Sequence, residues 1–158
     1  MRDRVVSGTV LEGRLHHVGM SVSDLGAALA FWEPFLGVEA RWTTVLERPY
    51  IGRHVGYPGV RIRAAFVDLP GSGILELLDY QGVDRAPIEE GSANPGHAHI
   101  CLAVDDIQFV FERALACGAR PVNPDCPVDV DAGPNKGARA SYLRVPPDWH
   151  TLELLQAP

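Results

Sequence analysis

The strongest constraint on the fold of this chain is a duplication. The segment Leu15-His16-His17-Val18-Gly19-Met20-Ser21-Val22-Ser23-Asp24-Leu25 lies over His97-Ala98-His99-Ile100-Cys101-Leu102-Ala103-Val104-Asp105-Asp106-Ile107 at a constant offset of 82 residues. His17 then falls on His99, Val22 on Val104 and Asp24 on Asp106. Each segment leads into a helical pattern that stops at a glycine, Gly37 or Gly118. Further on, Ile74-Leu75-Glu76-Leu77-Leu78 matches Thr151-Leu152-Glu153-Leu154-Leu155 at an offset of 77. Two matching segments in the same order point to a repeated structural module.

Each copy reads β-α-β-β-β. In the first, residues 15–22 alternate as a strand, and Leu25, Ala28, Leu29, Trp32 and Leu36 recur at helical spacing. Pro34 falls near the end of that helix, where it is expected to distort the last turn. Strands are expected at 38–46, 60–68 and 73–80. In the second copy a strand over 97–104 leads to Asp105, read as an N-cap with Gln108 three residues on. A helix through Ile107, Val110, Phe111, Ala114 and Leu115 follows, then strands near 120–123, 139–145 and 151–156. The expected organisation is a tail or added edge strand over 1–13, a first module over 14–80, a linker over 81–96 and a second module over 97–158. Loops are expected at 47–59 and 123–138. The fold class is α+β: two tandem βαβββ modules in one compact domain.

Composition narrows the function. With 158 residues the chain buries about 70% of the surface its unfolded form exposes. Hydrophobic residues make up 46% and charged residues 22%, so a folded core is expected rather than disorder. The net charge is −6 and no basic run occurs, which argues against a nucleic-acid or anionic-membrane partner. No stretch approaches the roughly 20 apolar residues of a membrane span. The first residues lack the apolar core of a signal peptide. Cys101, Cys117 and Cys126 form no C-x-x-C pair, so neither a disulfide framework nor a thiolate zinc site is indicated. A cytoplasmic protein is expected.

Strand parity sorts the side chains. His17, Gly19 and Ser21 share one face, as do His99, Cys101 and Ala103; the opposite faces carry Val18, Met20, Val22 and Ile100, Leu102, Val104. The bulky apolar face must pack under the helix. The histidine face is lined with small residues and leaves room above it. Glu76 and Glu153 are each a lone carboxylate within an apolar strand. A single strand His or Glu is ordinarily a satisfied or solvated residue. Two of each at equivalent repeat positions point to one shared site, because an ionised carboxylate is costly to bury unless it is paired or binds a metal.

The motif Leu15-His16-His17-Val18-Gly19 with Asp24 after it, its partner Gly96-His97-Ala98-His99-Ile100, and the closing Leu152-Glu153-Leu154-Leu155-Gln156 resemble the vicinal oxygen chelate superfamily. Its members include glyoxalase I, methylmalonyl-CoA epimerase, extradiol dioxygenases, and fosfomycin and bleomycin resistance proteins. The resemblance covers about residues 14–156. It implies a curved sheet around a metal cavity, with His17, Glu76, His99 and Glu153 as ligands of one divalent ion (Zn, Ni, Co, Mn or Fe). It also implies a homodimer and a small-molecule substrate.

The same resemblance implies a lyase or isomerase that transfers a proton beside a metal-bound carbonyl, with Glu153 and Glu76 as catalytic carboxylates. A Glu at position 76 leans toward glyoxalase-like or epimerase-like chemistry. Tyr142 would suit an Fe(II) extradiol dioxygenase but is also ordinary strand packing. A non-catalytic binding protein of the antibiotic-resistance kind is the third reading. Two stretches depart from the family pattern. Gly56-Tyr57-Pro58-Gly59-Val60 lacks the acid that epimerases carry there, and the closing turn reads Val145-Pro146-Pro147-Asp148-Trp149. His97 shares parity with His99 and is a candidate to line the cavity, whereas His16 faces the other way. Arg48, Arg53 and His54 are read as solvated loop charges with an anion-holding role as the alternative. Gly133-Pro134-Asn135-Lys136-Gly137 is a glycine-bounded turn without the phosphate-loop pattern.

Overall fold

The computed structural model of the chain describes residues 13–87 and 91–158. The expected tail or edge strand over 1–13 therefore lies outside the described residues, Gly13 excepted. The first module contains β1 (Val18–Ser21), α1 (Leu25–Leu36), β2 (Trp42–Leu46), α2 (Pro49–Val55), β3 (Arg61–Leu69) and β4 (Gly73–Gln81). The second contains β5 (His99–Ala103), α3 (Ile107–Ala116), β6 (Arg120–Pro121), β7 (Val128–Asp129), β8 (Arg139–Val145) and β9 (His150–Gln156).

The duplication is carried into topology. The strands form two mixed sheets, ordered β1-β4-β3-β2 and β5-β9-β8-β6, with β7 added against β8. In each sheet the first strand pairs parallel with the last, β1 with β4 and β5 with β9. Antiparallel pairs complete both sheets. A parallel pair needs a long crossover, and the helix and two intervening strands supply it.

Helix α1 buries Leu25, Ala28, Phe31, Trp32 and Phe35. Asp24 caps it by accepting from the Ala27 N–H, and Gly37 ends it in the left-handed conformation at φ 75°. Pro34 does not break the last turn. So near the C-terminus it removes only one intrahelical donor, and the helix runs on to Leu36. The N-cap of α3 is Asp106, which accepts from the Phe109 N–H, rather than Asp105. Asp106 is the repeat equivalent of Asp24. Gln108 donates forward to Glu112 instead of closing a capping box.

One apolar core joins both modules. Phe31, Trp32, Phe35, Leu75 and Leu77 from the first pack in a single cluster with Ile107, Phe111, Leu143, Leu152 and Leu154 from the second. Polar ties reinforce it. Arg113 donates to the Pro34 carbonyl through Nε at 3.1 Å and Nη2 at 2.6 Å. The His150 ring meets the Ser21 carbonyl at 3.0 Å, and the Ser23 N–H donates to Asp148 at 2.8 Å. The atypical closing turn of the second module thus docks on the end of β1.

Two elements differ from the expected loops, α2 and β7. Seven residues are too few to show a helical period. Helix α2 forms because Pro49 presets its first turn and because Ile51 packs on Val60 and Ile62. Gly52 allows that approach: a Cβ there would lie 2.7 Å from the Tyr57 carbonyl oxygen and 3.1 Å from the Pro58 Cα. Gly52→Ala is expected to cost about 1–3 kcal/mol through overpacking. Urea denaturation checks this, and an unchanged midpoint would mean that α2 docks less closely.

Candidate functional site

The parity argument holds in three dimensions for the residues within the strands. Leu75 and Leu77 of β4 are fully buried in the core, as are Leu152 and Leu154 of β9. Their alternates Glu76 and Glu153 turn to the opposite face, where Gly19, Cys101 and Ala103 are exposed. The parallel registers set Gly19 beside Glu76 and Cys101 beside Glu153.

On this open face each module assembles one imidazole–carboxylate pair. His17 Nε2 lies 3.1 Å from a Glu76 oxygen, and His99 Nε2 lies 3.0 Å from a Glu153 oxygen. The burial is also matched: the side chains of the two histidines are 36% and 38% exposed, those of the glutamates 16% and 21%. The four expected site residues are therefore brought together two by two. Among the described residues, no three His, Cys, Asp or Glu side chains gather into one metal-sized cluster.

The symmetry reaches further than the four. Phe66 on β3 stands opposite Glu76 and stacks on His17, with ring centroids 5.9 Å apart. Tyr142 on β8 stands opposite Glu153 and meets His99 at 5.2 Å. An aromatic beside each pair is thus part of the repeat, and the hydroxyl is the only feature Phe66 lacks. Trp42 extends the platform, 5.1 Å from Phe66.

His16 does not stand apart from the site. Its Nδ1 is hydrogen-bonded to Nδ1 of His17 at 2.7 Å. Residues 16 and 17 precede β1, so strand alternation does not govern them. This bond occupies the His17 nitrogen that faces away from Glu76 and so restrains the orientation of the ring. His97 lies ahead of β5, with its backbone N–H on the Asn94 carbonyl. Arg48, Arg53 and His54 are exposed at and along α2. The Gly133–Gly137 turn is closed by the Lys136 N–H on the Gly133 carbonyl.

The donor set is compatible with a divalent cation. Two imidazole nitrogens and two carboxylates suit Zn, Ni, Co, Mn or Fe. In each pair the His nitrogen and Glu oxygen stand at the separation of two groups that can share one ion.

The matching family model, the Glyoxalase/Bleomycin resistance protein/Dioxygenase superfamily, covers residues 14–139. The chain belongs to this superfamily. An ethylmalonyl-CoA/methylmalonyl-CoA epimerase of Cereibacter sphaeroides is 34% identical over 111 residues, 68% of this chain and 73% of that protein. The mitochondrial methylmalonyl-CoA epimerase of Bos taurus is 35% identical over 97 residues, 60% of this chain and about half (49%) of the relative. Among solved structures, a glyoxalase family protein from Bacillus cereus superposes with a TM-score of 0.75 at 20% identity, covering 96% of this chain and 97% of that one. The α+β fold is that of the superfamily. No helix among the described residues is long and apolar enough to cross a membrane.

Cys101, beside Glu153, has no counterpart in the first module, where Gly19 takes its place. Burial first, then a hydrogen bond to Glu153 and the charge of that carboxylate, push the Cys101 thiol up to about 11. The raised value keeps the thiol protonated until the pH nears 11. In metal-free protein at pH 8.5, iodoacetamide should therefore alkylate Cys101 far more slowly than an ordinary thiol. Peptide mapping by mass spectrometry reads the rate. Glu153→Gln should raise it, because the charge that favours the neutral thiol is gone.

Proposed function

We propose that the protein is a divalent-metal-dependent isomerase of the epimerase type, moving a proton beside a carbonyl of a small molecule. The observation that carries this reading is one arrangement found twice: an imidazole against a carboxylate on the open face of each module. The epimerase names of the curated relatives favour isomerisation over lyase chemistry. The stacking of Phe66 on His17 makes Tyr142 a packing element of the repeat, which weakens the dioxygenase alternative.

His17, Glu76, His99 and Glu153 are the residues that would hold the ion. When bound, the ion supplies Lewis-acid stabilisation of the charge that develops on a carbonyl oxygen as the adjacent carbon is deprotonated. The carboxylates handle the proton. Glu153 takes it from the carbon and later releases it to water, and Glu76, in an equivalent setting on the other module, delivers a proton drawn from water to the opposite side. Epimerisation requires both acts, and two carboxylates of similar exposure suit both directions of the reaction. His17 and His99 would turn Nε2, the nitrogen that meets the carboxylate here, to the ion, and His16 holds the far side of the His17 ring. Burial and then the charge of Glu153 raise the Tyr142 pKa, so its phenol stays neutral beside the site.

A homodimer belongs to this proposal. Trp42 and Val45 are 41% and 39% exposed on the edge strand β2, and an open apolar edge invites cover. A monomeric mass by light scattering at micromolar concentration would remove that part.

The experiment follows α-proton exchange by NMR in deuterated water, using acyl-CoA thioesters and 2-oxoaldehyde–thiol adducts, with metal content measured alongside. His99→Ala should lose the metal. Glu153→Gln should keep it, since an amide oxygen still coordinates, and lose about 10²–10⁴-fold in turnover. Full activity in a metal-loaded Gln variant would place the base elsewhere, and metal-free wild-type protein with unimpaired exchange would end the metal reading.

A further inference from the structure

We propose that a cleft on the second module, beside the His99–Glu153 pair, binds the oxyanion group of a small ligand, a phosphate or a carboxylate. The cleft has a volume of about 340 Å³ and is lined by Gly91, Arg120, Pro121, Val122, Arg144 and Trp149. That is within the range of small-molecule sites, roughly 300–1,000 Å³.

Two arginines share it in an arrangement that folding alone does not favour. The antiparallel register of β6 and β8 sets Arg120 directly opposite Arg144. Like charges at facing strand positions repel. Five other arginines are matched with acids: Arg41 with Asp68, Arg61 with Glu47, Arg63 and Arg85 with Asp79, and Arg139 with Asp129. Among the described residues no carboxylate lies within ion-pair distance of Arg120 or Arg144.

Both guanidinium groups are nevertheless held in place. Arg120 sits over the Trp149 ring, its Cζ 3.3 Å from the centroid. Arg144 donates through Nη1 to Thr151 Oγ1, and Thr151 is itself 3% exposed. A guanidinium carries five N–H donors, and stacking uses none of them while the Thr151 bond uses one. Two preorganised forks around one cleft match the planar or tetrahedral oxygens of a carboxylate or phosphate. An anion between them would also relieve their repulsion.

The cleft shares a face with the proposed site. Arg144 is two residues beyond Tyr142, and Tyr142 stands opposite Glu153. Two strand residues span about 7 Å. A ligand anchored by its anion would therefore extend toward Glu153. This last point rests on the function proposed above; anion binding by the arginines does not.

The test is calorimetric titration of the whole protein with inorganic phosphate and with malonate, at low chloride and with and without EDTA. One saturable anion per chain is expected. Arg120→Gln and Arg144→Gln should each weaken it at least tenfold, and Arg144→Lys, which keeps the charge but not the fork, should weaken it less. Arg139→Gln removes the same charge from the other face of β8 and should leave affinity unchanged. Tighter phosphate binding assigns a phosphorylated ligand, tighter malonate a carboxylate. The absence of saturable binding, or equal losses in all three Gln variants, would overturn the proposal. Anion binding that survives in a protein showing neither metal binding nor proton exchange would keep the cleft and discard the reading of the His–Glu pairs.

Discussion

Parallel pairing of the first and last strands of each module is the constraint on which the site depends. The β1–β4 and β5–β9 registers set Gly19 beside Glu76 and Cys101 beside Glu153, so the histidine two residues earlier, just before β1 or at the start of β5, reaches the glutamate. Alternation then does the sorting. The leucines flanking each glutamate are driven into the core, and the glutamate is carried to the open face. A slip of one residue in either register would bury a carboxylate under a helix and expose two leucines, so the apolar core itself enforces the position of the polar site.

That core also explains how two similar modules become one body. The apolar faces of both modules merge around Trp32, Phe31 and Leu143. The buried charge at Asp79 belongs to the same design. Its carboxylate is 3% exposed, meets Arg63 and Arg85, and through Arg85 connects with the Val22 carbonyl at the end of β1. An unpaired carboxylate there would be costly. Paired, it holds the start of the linker against the module that precedes it.

The two halves share a scaffold and differ in what surrounds it. The first module adds α2 over Ile62 on the face that carries Glu76. The second instead places a paired Arg120 and Arg144 beside Trp149. Duplication supplies a matched His–Glu pair in each module, and divergence of the connecting segments makes their surroundings unlike.

The repeat, the order of elements and the sorting of faces were legible in the sequence because each rests on local periodicity, which neighbouring residues encode. The sequence pointed to His17, Glu76, His99 and Glu153 as one shared set; the structure sets His17 against Glu76 and His99 against Glu153, one pair in each module. Three things were not legible. Helix α2 is too short for a period and forms by docking Ile51 and Gly52 on the sheet. His16 reaches His17 because both lie before β1, where alternation does not apply. Arg120 and Arg144 are 24 residues apart in the chain and become neighbours only through the β6–β8 register. Sequence by itself determined which residues are apolar, in what rhythm, and therefore which faces are buried. Tertiary structure alone decided which distant side chains meet, because contact across strands is set by pairing partners and register, quantities that depend on the whole core.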